Sequence, residues 1–502
     1  MGVRSLLLAM PDVISAFNLV TRLPNLGISS IAGNIDEKLC QVKTADLTAV
    51  KGDIQSFVRD LIVSHKPDLV GLSSMSFQHH SAISIAKLVK SINNDTLVAL
   101  GGYHPTIAYR ELAENPEVQT YIDFMVRGEG EETFNELIQA INGNRNMGSV
   151  DGLSYNYRGK FRHNKSRAPV ELDRIKLPNR QARIIRNGFH LFGRRADVLE
   201  TSRGCTMDCS FCCITQMYSR SFRKYSIERI LSDIETLRAG GIQSLLFVDD
   251  NITLDTDRLE EICDAIIQRG YNDLHYFVQA SVSGIAFRKD LARKMAQAGF
   301  KCVFLGIETT SEKNTRLLDI GRKLRGTDNV VTAVRLLKEN DIIVFGGLIS
   351  GTPDDQEGDF RETLRVAREL DLDIPVFYLL TPYPGTRLRD EALRLGLAGE
   401  AGGGWSSYDC FHPFRTKSLS AEEVGFLHWK MCEDWLDHWR WLVYNKVKKH
   451  YPLYCLKMLA RVWPRHLWKR LVCSLGIKSA HDLYLEETAG GKTQYSVMRR
   501  VG

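Results

Sequence analysis

Four cysteines, Cys205, Cys209, Cys212 and Cys213, crowd into nine residues of the stretch ETSRGCTMDCSFCC (200–213), in a chain with only 11 cysteines among 502 residues. The first three have the spacing C-x3-C-x2-C. Thiolates are soft ligands, and three of them at short separations let one loop wrap a compact iron–sulfur body. Three ligands from one loop leave one iron of a four-iron cluster open, which suits a catalytic cluster better than a structural one. Cys213 follows Cys212 directly, so its side chain points elsewhere. A structural zinc site needs a fourth ligand, commonly from a second Cys/His pair, and no second C-x2-C occurs in the chain. On spacing alone the alternatives are a zinc loop completed by a distant Cys or His, or free thiols.

Ligands on a loop need a frame to hold them. Residues 196–390 supply one: ADVLETS, SLLFVDD, HYFVQAS, CVFLGIE, IIVFGGLIS and PVFYLLTPYPGT read as strands, separated by stretches of helical period such as SIERILSDIETLRAG and DRLEEICDAIIQRG. Six βα units predict a partial TIM-like (β/α)6 barrel, whose functional groups gather at the strand C-termini. The cysteines, Asp249, Asp250, Glu308 and the Pro-Gly turn of TPYPGT all fall there. Residues 1–142 also alternate, with SLLLAM, PDLVGLSSMS, DTLVALGGYHP and IDFMVRGEG as strand ends, and predict an α/β, Rossmann-like doubly wound domain. Its loops at Ser73–Ser74, Gly101–His104 and Arg127–Gly130 should face any ligand. Residues 143–195, rich in Gly, Asn, Pro and basic side chains, read as a linker with a small hairpin. In RGEGEETF no Gly-Lys-Ser/Thr follows, so a nucleotide loop is not expected, and Glu129, Glu131 and Glu132 suit a helix start.

Residues 391–502 predict a mainly helical, Trp-rich, basic region. All seven tryptophans lie between Trp405 and Trp468, and between Asp437 and Asp482 there are ten Lys or Arg and no acid. Such a segment can lie at a membrane–water interface. It can also be a helical cap with snorkelling basic residues, or a nucleic-acid patch. The first reading is favoured, and no nucleic-acid partner is expected from a net charge of only +6. No apolar run approaches the ~20 residues that span a bilayer. The N-terminal MGVRSLLLAMPDVISAF lacks a small-residue cleavage site and reads as a first strand. An odd number of scattered cysteines fits a reducing compartment. The expected location is therefore cytoplasmic, peripheral to the inner face of the membrane.

The cysteine trio, with Phe211 ahead of its third member and six βα units around it, resembles the radical S-adenosylmethionine enzymes. The resemblance implies a 4Fe–4S cluster on Cys205, Cys209 and Cys212. S-adenosylmethionine chelates the open iron of that cluster and is cleaved to a 5′-deoxyadenosyl radical. It implies that Asp249 and Asp250 of FVDDN contact the methionyl amino group, where the familiar Gly-Gly-Glu is absent. It also implies that Gln279 and Ser281 of VQAS lie near the ribose, that Glu308 of FLGIET lies near the ribose or methionyl moiety, and that Tyr383 and Thr386 face the site. The plainer alternatives are an Asp pair that caps the next helix and a glycine that only permits close packing.

The preceding α/β domain, through PDLVGLSSMS, LGGYHPT and VRGEGEETF, is similar to that of the cobalamin-binding members, the class B radical methyltransferases. This implies a corrinoid at the strand C-termini, cradled by Ser73, Ser74, Gly101, Gly102 and Tyr103. The pattern D-x-H-x-x-G is absent; Asp36 stands with Lys38 where the histidine would be. His79, His80 and His104 read as surface or loop residues rather than axial ligands. The implied reaction is methyl transfer from methylcobalamin to an unactivated carbon of a small-molecule or lipid substrate. A low-potential donor such as flavodoxin or ferredoxin supplies the electrons. The domain layout and the aromatic, basic tail look like the hopanoid C-3 methylases, which implies a polycyclic membrane lipid. A tetrapyrrole ring cyclase-like or rearrangement enzyme is the alternative within the family, and a non-catalytic corrinoid or iron–sulfur binding protein the alternative outside it.

Overall fold

The computed structural model describes residues 2–14, 20–326, 328–397, 404–437, 446–489 and 497–498. Five parallel strands, β1 (Val3–Ala9), β2 (Cys40–Asp46), β3 (Leu69–Ser73), β4 (Leu97–Gly101) and β5 (Phe124–Val126), form the N-terminal sheet in the order β2-β1-β3-β4-β5. Their apolar residues are buried on both faces. Helices Ile54–His65, His79–Ile92 and Tyr103–Ala113 cover one face, and Leu26–Asn34 and Gly130–Ile141 the other. Ala9 pairs with Ser73, and Ser73 with Gly101. The loops that follow therefore leave the sheet along one edge, where the strand order reverses and such sheets bind ligands. The hairpin β6 (Leu153–Tyr157) and β7 (Lys160–His163) joins β5 antiparallel, so it belongs to this sheet.

The second sheet carries β8 (Arg194–Leu199), β9 (Ser244–Phe247), β10 (His275–Ser281), β11 (Phe300–Glu308), β12 (Ile343–Ser350) and β13 (Ile374–Leu379), each parallel to the next. It is a half-barrel of six βα units, as the repeat predicts. Beyond β8 it continues antiparallel through His190–Leu191 to Thr21–Arg22, a segment from the N-terminal domain. The two domains are thus joined by shared backbone hydrogen bonds.

Helices Ala421–Trp435, Lys446–His450, Pro452–Ser474 and Ala480–Ala489 make up the C-terminal region. Tyr451 stacks on Phe192 at 4.4 Å, and its hydroxyl meets His275 Nδ1 at 2.8 Å, which fixes this region to the half-barrel. No described helix is long and apolar enough to cross a membrane. Trp439 and Trp441 lie outside the described residues.

Candidate active site

The cysteine loop is closed at its base by a two-residue ladder, Ser202–Arg203 against Arg223–Lys224. Gly204 follows with φ 90°, and a Cβ there would stand 2.3 Å from the Ser221 carbonyl, so only glycine lets the chain turn toward Cys205. The far side is pinned to two neighbouring loops: Ser210 N donates to Leu318 O at 3.0 Å, and Leu388 N donates to Ser210 O at 3.0 Å. Cys212 N turns back onto Cys209 O at 3.2 Å, which brings these two thiols close. All four cysteines are free and half-buried, and Cys213 caps helix Ile214–Tyr218. Burial pushes the thiols of Cys205, Cys209 and Cys212 above their ordinary range, Cys209 to about 11. Among the described residues no three Cys, His, Asp or Glu side chains meet where a single ion could sit. Three soft donors spread along one turn fit an iron–sulfur cluster.

Arg203 is the keystone beneath this loop. Its guanidinium donates to the buried Glu129 at 2.8 Å and Glu131 at 2.6 Å and to the half-buried Glu200 at 2.7 Å. Burial disfavours its charge, but the carboxylates of Glu131 and Glu200 outweigh that and hold it firmly protonated. Glu129 and Glu131 come from the RGEGEETF loop of the N-terminal domain, so this cluster couples the two domains next to the cysteines.

On the domain side of the loop lies a cleft of about 350 Å³. Ser73, Ser74, Gly101, Gly102 and Tyr103 all line it, and Glu200, Arg203, Tyr218 and Asp250 face them from the barrel. Tyr103 and Tyr218 meet edge to face at 6.5 Å across the domain boundary. Gly102 has φ 99° and no room for a Cβ beside the Ser74 carbonyl at 2.8 Å, while at Gly101 the nearest atom to such a Cβ is 3.9 Å away. Backbone, hydroxyl and amide groups with open space at Gly101 fit a large, amide-edged ligand such as a corrinoid. Burial raises Asp250 to about 7, opposed by its bond from Gly204 N at 2.9 Å.

Two expectations for this domain need correction. Asp36 and Lys38 are exposed in the turn before β2, at the opposite end of the sheet from the cleft. None of residues 10–25 is a histidine, and no histidine lines the cleft. His79 and His104 are not surface residues: they are buried edge to face at 4.8 Å, and His104 packs on Trp405 at 4.6 Å. Burial lowers both, His79 to about 4, so they are neutral apolar packing partners.

On the barrel side lies a second cavity, also about 350 Å³. Phe211, Gln279, Glu308 and Tyr383 line it, together with Phe277, Phe304, Phe345, Tyr378 and Cys410. Glu308 adopts φ 63° at a register shift against β12 and pairs with Lys323. Left-handed backbone at a non-glycine residue is strained, and here the strain sits at the cavity wall. A Cβ on Gly306 would stand 2.3 Å from Lys323 Nζ, so that glycine makes room for the pair. Burial opposes the lysine charge, but Glu308 and Cys209 outweigh it and raise its pKa.

Asp249, Ser281 and Thr386 line neither cavity. Asp249 accepts from Thr201 N at 2.8 Å, Thr201 Oγ1 at 2.5 Å and Ser202 Oγ at 2.5 Å. Ser281 caps helix Val282–Ala286, and Thr386 caps Arg387–Arg394. Lys323, Arg203, Tyr218 and Cys410 were not singled out from the sequence. DIGRKLRG reads as a plain basic loop, and only the strained end of β11 makes its lysine a neighbour of the cysteines.

The chain matches the family model "Radical SAM superfamily" over residues 199–367 and that of the "B12 binding domain" over residues 14–138. It is 30% identical to an uncharacterized methyltransferase of Pyrococcus horikoshii, over 85% of this chain and 91% of the relative. It is 28% identical to the anaerobic magnesium-protoporphyrin IX monomethyl ester cyclase of Rubrivivax gelatinosus, over 66% of this chain and 60% of that protein. It is 26% identical to the hopanoid C-3 methylase of Methylococcus capsulatus, over 75% and 70%. The fold matches that of OxsB, a cobalamin-dependent S-adenosylmethionine radical enzyme solved with aqua-cobalamin and S-adenosylmethionine bound, at TM-score 0.68 and 18% identity, over 99% of this chain and 77% of that one. A cysteine loop at the mouth of a half-barrel, an α/β domain whose ligand edge faces it, and these likenesses agree: the chain belongs to the cobalamin-binding radical S-adenosylmethionine methyltransferase family.

Proposed function

We infer that this enzyme methylates an unactivated carbon of an apolar, polycyclic membrane lipid, with hopanoid C-3 methylation as the specific reading. The observation that supports it most is the ring-lined cavity in the half-barrel, on the opposite side of the cysteine loop from the cleft. Its few polar groups, chiefly Gln279 and Glu308, suit a cofactor edge, and its phenylalanines suit a hydrocarbon. Cys205, Cys209 and Cys212 would hold the 4Fe–4S cluster. Phe211, Gln279 and Glu308, with Lys323 behind it, would flank S-adenosylmethionine. Ser73, Ser74, Gly101, Gly102, Tyr103 and Asp250 would face cobalamin. When bound, these groups supply hydrogen abstraction from carbon and a transferable methyl group.

The chain's own residues position and exclude. Arg203 and its three carboxylates fix the loop between the two cavities. Asp249 holds Thr201 and Ser202 at the loop's entry, and Ser281 holds the end of β10. Phe277, Phe304 and Phe345 keep water from the reacting carbon. The enzyme would work at the cytoplasmic face of the membrane, with electrons from a flavodoxin or ferredoxin.

The test is anaerobic. The protein is reconstituted with iron, sulfide and hydroxocobalamin, then given S-adenosylmethionine, a low-potential reductant and bacterial lipid extract. Mass spectrometry should find 5′-deoxyadenosine, S-adenosylhomocysteine and a lipid heavier by one methyl group, and Cys205→Ala should lose all three. Deoxyadenosine without S-adenosylhomocysteine would favour the cyclase reading, which the similarity to the Rubrivivax enzyme supports. Neither nucleoside from an intact cluster would leave a binding protein.

A further inference from the structure

Among the described residues fifteen large hydrophobic side chains stand exposed, and eight of them fall between Leu453 and Leu485. Six of these, Leu453, Leu456, Leu467, Trp468, Leu471 and Leu475, are 51% to 76% exposed and lie on helix Pro452–Ser474 or at its C-cap. With 3.6 residues per turn they share one side of the helix; Leu453 and Leu471 are about five turns apart and point the same way. The opposite side is buried, and polar contacts hold it there. His466 bridges Glu433 at 3.0 Å and Asp437 at 2.8 Å, and Lys469 pairs with Glu487 at 2.9 Å and also with Glu433. The leucine stripe is therefore not what fastens the helix to the protein.

We propose that this outward stripe docks flat on a bilayer surface that contains anionic lipid. Charge identifies the occupant. Lys457 and Arg461 are exposed beside the stripe and have no ion-pair partner among the described residues. Arg470, paired with Asp437 at 3.4 Å, is exposed on the other flank. Apolar side chains, a tryptophan and flanking cations in one plane match hydrocarbon below and anionic headgroups around it. A second copy fits worse, because two such faces would bring their cations together. The helix is about 35 Å long at 1.5 Å per residue, and it is too polar to cross a membrane, so it lies along the surface.

The buried start of the helix packs on the half-barrel beside the barrel cavity. Tyr451, at the start of this helix, and Val447 before it belong to the same apolar cluster as Phe277 and Phe345, which line the cavity. A docked helix would hold the half-barrel against the bilayer that dissolves the lipid substrate. The proposal itself does not rest on methyl transfer, because binding is read without S-adenosylmethionine or reductant.

The full chain is floated on a density gradient with vesicles of phosphatidylcholine alone and of phosphatidylcholine with phosphatidylglycerol, at low and high salt. The expected result is flotation with the anionic vesicles that falls as salt rises. Leu467→Ser/Leu471→Ser should weaken partitioning by about tenfold or more, with unchanged Tm. Val331→Ser, an exposed apolar site elsewhere, should change nothing. Absence of flotation, equal flotation with both vesicles, or equal binding by the double variant would each overturn the proposal. So would a dimer in sedimentation that forms without vesicles and is dissolved by the double variant.

Discussion

The two cavities flank one loop and have the same volume, about 350 Å³ each, yet their linings differ. The cleft on the N-terminal domain combines glycines, hydroxyls and backbone at the ends of β3 and β4 with apolar side chains such as Leu7, Ile31 and Phe134. The cavity in the half-barrel is walled by aromatic rings that alternate along β10, β11 and β12. The first can meet many polar groups on a large ligand without filling the space that ligand needs. The second is lined mostly by apolar and aromatic side chains, with Glu308 as the charged group among its described lining residues. Two chemistries that share a loop can thus be kept apart by lining alone.

Substitutions can break that contrast one wall at a time. Removing the shared element should have the largest effect: Cys209→Ala abolishes cluster assembly and deoxyadenosine formation, yet leaves cobalamin binding intact, read by iron content and by the corrinoid spectrum. On the barrel side, Lys323→Met strands Glu308 as a buried charge and should cost about 3 kcal/mol of stability in urea. The double variant Lys323→Met/Glu308→Gln should recover most of that loss without recovering S-adenosylmethionine binding by equilibrium dialysis. On the cleft side, Gly101→Leu puts a side chain into open space and should weaken cobalamin binding by about 2 kcal/mol, with no change in cluster iron. If Gly101→Leu also removes iron, the cavities are not independent.

The smallest expected effect is a pH dependence beside the barrel cavity, at Asp409. Its carboxylate accepts from Phe411 N at 2.8 Å and His412 N at 2.7 Å. Burial nevertheless raises it to about 6 from 3.8. An acid whose folded pKa is raised contributes stability below its unfolded pKa and loses it as pH climbs through the folded one, here from about 4 to 6. Both amides meet the same oxygen, so Asp409→Asn keeps the bonds and should flatten that slope. Thermal unfolding across that range reads it out.

The sequence showed most of what depends on local pattern and little of what depends on approach in space. The six half-barrel strands are apolar runs between turn signals, and each is where its pattern implies. β2 escaped notice because it is an edge strand: Gln41 and Lys43 face outward and interrupt its apolar run. The glycines and serines of the cleft were legible because strand ends in a doubly wound sheet define a ligand edge. Asp249 and Ser281 were equally conspicuous, but both side chains are engaged in holding loops, and type and spacing do not distinguish the two uses. Arg203 and Lys323 were invisible as site residues, because Glu129 and Glu131 are more than 70 residues from Arg203 and Glu308 sits at a strained strand end.

The short strand Thr21–Arg22 reaches beyond the fold it completes. It is chain that emerges early from synthesis and waits for the half-barrel to be made before it finds its partner, His190–Leu191. The two halves are therefore not interchangeable cassettes. A barrel cut free at the linker would expose a bare sheet edge of the kind that recruits foreign strands. A transplanted N-terminal domain would carry a segment with nowhere to pair. Recombination between relatives of this enzyme should succeed only at junctions that keep residues 20–25 with the half-barrel they were shaped for.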